Sequence, residues 1–219
     1  MKLQEIADAI EQNKASHFAE VIKDVDAAKA EVKKIVEDSS RSTDWIREQA
    51  EAVVERFNAD LKAKADAEAA ELEKLYQNGL DAAADVLAKQ PTAGELAYLQ
   101  AFNMKDRIIK SDVDSALHSL EHSAVASAVV CERAAACGIE VGKFVPGYIA
   151  VEGVYKECLD ADMGLVKTFG HASLTGSGSY MAFSACSLSE AMRAKYVANG
   201  FTNALRAVSS FESGRHGSR

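Results

Sequence analysis

Apolar residues recur at helical spacing through the first ninety positions of the chain. A first stripe, with many spacings of three or four residues, consists of Ile6, Ile10, Val21, Val25, Val32 and Val36. This periodicity predicts an amphipathic helix. Residues 1–90 contain no proline and a single glycine, Gly79, so little in the sequence would break such a helix.

A second stripe begins after the polar segment 38–44, where we expect Thr43 to cap a new helix. It continues for over forty residues, which corresponds to a helix of roughly 60–70 Å. A helix of that length needs a packing partner along its length. We therefore predict a self-association seam, with an intramolecular helical hairpin hinged at residues 38–44 as the alternative; the seam residues are Ile46, Val53, Phe57, Leu61, Leu72, Leu75 and Leu80.

The sequence after Pro91 predicts several shorter helices. Thr92 and Glu95 have the spacing of a capping box, and Gly138 is a plausible end for a helix that starts near Ser123. Further helices are predicted from Ser111, over residues 151–169, and up to Val208 with Ser187 or Ser189 as the cap. The pattern predicts at most a minor strand, near residues 139–149, and a Gly/Ser loop at 170–179.

These elements together predict a mainly all-α protein. Residues 1–90 are expected to form a long helical hairpin or coiled-coil rod, and residues 91–219 a compact, mostly helical domain. Hydrophobic residues make up 48% of the sequence, which excludes a wholly disordered chain. Aromatic residues make up only 7%, which does not favour a β-sandwich.

The net charge of the chain excludes some classes of function. The net charge is −8, and residues 1–90 hold 13 basic and 20 acidic side chains, so a general nucleic-acid binder is not expected. The start of the chain lacks the apolar core of a signal peptide, and no apolar run has the length of a membrane span. We expect a soluble protein made in the cytoplasm. Its four cysteines, which lack C-x-x-C spacing, are expected to be small core residues, and no cofactor is expected.

One short motif suggests metal chemistry. His118, Glu121 and His122 match H-x-x-E-H, in which two histidines one helical turn apart bind zinc and the glutamate acts as a base. The motif lacks an identified third ligand, which zinc requires. A small zinc metallohydrolase is therefore the alternative to a structural role, and solvated histidines near a helix junction are the simpler interpretation.

The C-terminal segment is basic and amphipathic. We predict that it docks onto a larger protein assembly, and the docking residues are Arg193, Lys195, Tyr196, Phe201 and Arg206. An ordinary core-packed helix with a solvated basic side is an equal alternative. A third possibility is an adaptor that binds a partner helix in a groove formed by residues 92–208.

The order of these features resembles helical structural proteins of tailed bacteriophages. The resemblance rests on the acidic, alanine-rich N-terminal helices, the segment Pro91–Leu99 and the short helices that end in Glu132–Ile139. It implies a non-enzymatic assembly protein that associates with itself and with other structural proteins, without membrane or sequence-specific nucleic-acid partners. It also implies synthesis in a host cytoplasm, as a scaffold or as a permanent virion component. The glycine-bearing segment 138–179 departs from a pure rod-like scaffold.

Overall fold

The computed structural model describes residues 2–121, 123–141, 147–168, 172–177, 180–185, 193, 196 and 199–212. Helices dominate this part of the chain, and the mainly all-α prediction is confirmed. In chain order the elements are α1 Leu3–Val36, α2 Thr43–Leu87, α3 Ala93–Asn103, α4 Lys110–Ser119, α5 Ala124–Ala136, α6 Tyr148–Thr168, β1 Ala172–Thr175, β2 Ala182–Ala185 and α7 Gly200–Ser209.

The residues divide into two compact units, each built from separate stretches of chain. Unit 1 comprises Met1–Ile10, Leu75–Cys158 and Asn199–Arg219, and unit 2 comprises Glu11–Lys74 and Leu159–Ala198. Both long helices and α6 contribute residues to both units.

In unit 2, α1 and α2 fold back on each other as an antiparallel hairpin. Their buried valines and alanines form one apolar cluster, which also includes Phe57 and Leu61. Two ion pairs join the helices across this cluster, Arg56 with Glu31 at 2.6 Å and Lys64 with Asp24 at 2.5 Å. The hairpin alternative therefore describes this part of the chain.

The predicted seam is largely covered by the chain itself. Leu75 is half-buried, and the other six side chains are at most 8% exposed: Ile46, Val53, Phe57, Leu61, Leu72 and Leu80. A self-association seam along this stripe would need its apolar side chains to be exposed in the single chain, and six of the seven are not. Its apolar surface is already removed from water in the single chain, so its length alone gives no reason for a second copy.

A small antiparallel hairpin in unit 2 overlaps the predicted Gly/Ser loop, with a strand where the loop was expected at residues 172–175. Strands β1 and β2 pair with Ala172 opposite Ala185, and Gly176 has a φ of +107°, which suits glycine. Asn58 of α2 fixes the hairpin by bonding both backbone groups of Ala172, at 2.9 and 3.2 Å. The strand expected near 139–149 is not seen in the described residues 139–141 and 147–149, and residues 142–146 lie outside the described part of the chain.

Several helix ends follow from capping residues. The box of Thr92 and Glu95 is present at α3, Ser123 caps α5, and Gly138 follows that helix with a φ of +70°. At α2 the capping hydroxyl belongs to Ser42, which accepts from Trp45 N at 3.3 Å, so the cap precedes the predicted one by one residue.

The final helix differs from its prediction. Asn199 is in an extended conformation, with φ −133° and ψ 169°, and its side chain accepts from Thr202 N to cap α7. A single helix running continuously to Val208 is therefore excluded. The competition of an asparagine side chain for nearby backbone N–H groups explains why a new helix starts at this point. The expected caps Ser187 and Ser189 lie outside the described residues.

Unit 1 contains an apolar three-helix cluster and an aromatic cluster. The first lies where α3, α4 and α5 contact one another, around Phe102 and Val130. In the second, the ring of Phe201 in α7 stacks on Tyr76 of α2 with 4.9 Å between ring centres. It also forms an edge-to-face pair with Tyr155 of α6, with 5.5 Å between centres.

Gly79 allows α2 and α7 to approach closely in unit 1. A Cβ atom at this position would lie 2.9 Å from Leu205 Cδ1 and 3.2 Å from the Phe201 ring.

We expect Gly79→Val to lower the free energy of unfolding by about 1–3 kcal/mol through overpacking, measured by chemical denaturation.

The matched control is Gly153→Val in α6, where nothing lies within 4 Å of an added Cβ. This change should be neutral or slightly stabilising, because valine has a higher helix propensity than glycine. Equal losses of stability in the two variants would contradict a specific close approach at Gly79.

Candidate functional site

The described part of the zinc motif does not have the helical geometry that the spacing argument required. Helix α4 ends at Ser119, so the described residues 118–121 do not form one continuous turn of helix. His118 and Glu121 are exposed, with 3.7 Å between Nδ1 and Oε2, and His122 lies outside the described residues. Within the part of the chain that is described, no group of three His, Cys, Asp or Glu side chains could bind a metal ion.

The predicted docking residues have different environments. Tyr196 and Phe201 are 0% exposed, so they serve as core residues and have no surface to offer a partner. Arg206 forms an ion pair with Asp8 at 2.8 Å in unit 1. Arg193 is exposed and lies 5.3 Å above the Phe18 ring in unit 2, whereas Lys195 lies outside the described residues.

Unit 2 contains a buried ion pair that the sequence analysis missed. Lys14 of α1 is 0% exposed and its Nζ lies 2.7 Å from Oδ2 of Asp162 in α6, which is 2% exposed. The ammonium group also lies 4.8 Å from the centre of the Tyr196 ring. Each of these buried charges is stabilised by the other, because removing either one alone from water has a high free-energy cost.

A second buried acid lies in the same cluster. Glu68 of α2 is 8% exposed, and its Oε1 accepts a hydrogen bond of 2.9 Å from the Tyr196 hydroxyl. With its nitrogen turned toward the acid, the Asn13 amide donates to Oε1 at 2.7 Å and to Oε2 at 3.0 Å. His17 Nδ1 lies 3.9 Å from Oε2. We call these six residues the polar cluster: Asn13, Lys14, His17, Glu68, Asp162 and Tyr196.

Burial controls the electrostatics of the polar cluster. It raises the pKa of Glu68 from 4.5 to about 7, although the Tyr196 hydrogen bond and the charge of Lys14 oppose the shift. Burial also lowers the pKa of His17, and it raises that of Tyr196 together with the negative charge of Glu68. The cluster therefore contains a neutral imidazole and a carboxyl group that titrates close to neutral pH.

The sequence does carry a signal for the polar cluster. The α1 stripe has a gap between Ile10 and the buried Phe18, and Lys14 lies one turn from each of them on the same face. The α2 stripe has its alanine-rich gap between Leu61 and Leu72, and Glu68 is one turn before Leu72. Both gaps are thus filled by charged residues that face inward.

A different candidate surface lies in unit 1. Among the described residues, six of the eight large apolar side chains that are exposed belong to this unit, namely Leu96, Tyr98, Met104, Ile109, Tyr148 and Ile149. Helix α3 carries the first two, and Met104 is its C-cap. The three on or next to α3 make this helix a candidate interaction surface.

Comparison with protein-family models, with curated proteins and with solved structures gave no match for this chain. None of the helices in the described residues combines the length and the apolar content that crossing a bilayer requires.

Breaking the Lys14–Asp162 pair tests its structural role. We expect Asp162→Asn to lower the free energy of unfolding by about 3 kcal/mol or more, because Lys14 would remain buried without its counter-charge. The double change of Lys14→Met with Asp162→Leu should recover most of this loss, since neither charge is then buried. Chemical denaturation measures all three proteins.

The exposed pair of Lys33 and Glu37, 3.7 Å apart, provides the control. Lys33→Met should cost under about 0.5 kcal/mol, because exposed ion pairs contribute little. A loss for Asp162→Asn as small as this one would contradict the structural role of the buried pair.

Proposed function

We propose that this chain is a non-catalytic structural protein that associates with a second copy of itself through helix α3 of unit 1. The observation that supports the proposal most directly is the burial pattern of α3. Phe102 is its only buried residue among eleven, and the helix contains a single charged residue, Glu95, which is engaged in the capping box. A surface helix without a protein partner normally carries charged side chains on its outer face.

The outer face of α3 has a defined composition. Phe102 points toward α4 and α5, and the residues on the opposite side of the helix are all exposed and uncharged: Ala93, Leu96, Ala97, Gln100, Ala101 and Met104. Leu96 is 45% and Met104 is 83% exposed. We call this set the α3 face.

A second copy of the chain suits the α3 face. Ala93, Ala97 and Ala101 lie one turn apart, so two such helices can approach closely, with Leu96 and Met104 along one side of the alanine row. A twofold axis brings identical faces together without requiring a complementary surface elsewhere. Two copies each carry a net charge of −8, and an uncharged contact surface adds no local repulsion to that overall charge.

The proposal that the protein belongs to a larger assembly is based on the resemblance to structural proteins of tailed bacteriophages. Under that proposal the self-associated protein contacts other structural proteins of a phage particle through further exposed apolar residues of unit 1. Ile109 is 53% and Ile149 is 83% exposed, and both are available for such contacts.

Sedimentation equilibrium tests the proposal. We expect the unmodified protein to show a concentration-dependent mass that fits a monomer–dimer equilibrium. Leu96→Glu combined with Met104→Glu should weaken this equilibrium at least about 100-fold, because each new carboxylate would be buried in the contact without a partner.

Ile22→Glu is the matched control, since Ile22 is 42% exposed but belongs to unit 2. It introduces one carboxylate at a similarly exposed apolar site and should leave the equilibrium unchanged. A monomer at every concentration, or an equal effect of Ile22→Glu, would refute association through the α3 face.

A further inference from the structure

We propose that Glu68 is a built-in proton switch of unit 2, whose carboxyl group is hydrogen-bonded in both its charged and its neutral form. The inference concerns unit 2 alone and is independent of the α3 face. It rests on the arrangement of Asn13 and Tyr196 around the carboxyl group and on the cavity beside it.

The charged form of Glu68 is satisfied by two donors. Tyr196 donates its hydroxyl hydrogen to Oε1, and the Asn13 amide nitrogen donates toward both oxygens. A buried carboxylate with such donors on both oxygens is tolerated, although it carries a desolvation cost.

The neutral form is satisfied by the same two residues. An amide presents a donor on one side and an acceptor on the other, at nearly the same positions. Turning the Asn13 side-chain amide by half a revolution therefore presents Oδ1 to Glu68, and a proton on Oε2 can then be donated to it. Tyr196 continues to donate to Oε1, so proton binding leaves neither oxygen of the acid without a partner.

Protons can reach the carboxyl group through a cavity of about 280 Å³ that Glu68 helps to line. The volume accommodates several water molecules, each of which occupies about 30 Å³ in the liquid. Asn13, Ser16, His17 and Glu20 of α1 line the cavity, together with Lys64, Ala67 and Glu68 of α2.

Charged and titratable groups face Glu68 from each neighbouring element. Lys14 favours its charged form, whereas Glu71 and Asp162 favour the neutral form. His17 is kept neutral by burial, with Lys64 acting in the same direction and Glu20 against it. Tyr196 completes the surroundings.

The sign of the effect on stability follows from the direction of the shift. Burial raises the pKa of Glu68 from 4.5 to about 7, so the folded state binds the proton more tightly than the unfolded state does. The stabilisation by this proton is complete below pH 4.5 and is lost as the pH rises through about 7. His17, with its lowered pKa, acts in the opposite sense, because stability is lost as its unfolded form gains a proton below pH 6.5.

Glu68→Gln separates these two effects. Glutamine retains the shape of the neutral acid and cannot ionise. We expect the ratio of folding constants, variant over unmodified protein, to rise by about 70-fold between about pH 5 and about pH 8, as measured by denaturant unfolding. Glu73→Gln, at an exposed site further along α2 in unit 2, is the control and should show no such change.

A direct titration keeps the proposal testable if the variant folds poorly. Carbon-13 NMR of the glutamate carboxyl groups in the unmodified protein should show one group with a midpoint near 7, in line with the pKa of Glu68. The absence of any glutamate titrating above about pH 6 would overturn the proposal, as would equal pH profiles for the two glutamine variants.

Discussion

The structure of unit 2 depends on how two buried acids and one buried lysine are compensated. Lys14 has no exposed surface, and a lysine in that position is compatible with folding only when an anion such as Asp162 accepts its hydrogen bond. The same cluster contains Glu68, whose carboxyl group is bonded by Tyr196. Because these side chains come from α1, α2, α6 and the helical position 196, compensation of charge fixes where four separate stretches of chain meet.

The polar cluster also explains why the apolar pattern of the two long helices is discontinuous. Where α1 and α2 contact through valines and Phe57, burial of apolar surface is sufficient to hold them together. Around Lys14 and Glu68 the stripe is interrupted, and polar contacts of defined geometry take its place. Such contacts tolerate few alternative arrangements, because each buried polar group needs its partner in a defined position.

Periodicity and capping residues predicted the helices, because helix formation depends on neighbours three or four residues apart. The two long helices, the capping box that begins with Thr92 and the helix end before Gly138 all follow from such local contacts. The β-hairpin was missed because its fixation depends on Asn58, more than a hundred residues away. The new helix that starts after Asn199 was missed although the dipeptide Asn199-Gly200 is of a type that marks turns and helix boundaries. The polar cluster was missed because a lysine or glutamate that interrupts an apolar stripe is normally taken to be exposed to solvent. Only the position of its partner on another helix shows that it is buried. The apolar stripe of α2 was recognised, but the sequence could not show that the chain itself covers it.

Hydrogen exchange in the unmodified protein tests the role of the polar cluster most directly. If buried polar contacts join α1 and α2 as firmly as apolar packing does, backbone amides around Lys14 and Glu68 should exchange with opening free energies like those around Val25 and Phe57. Equal protection in these four regions is the expected result. Markedly faster exchange around Lys14 and Glu68 would show that the charged residues mark a weak point, and it would contradict the central role assigned to their compensation.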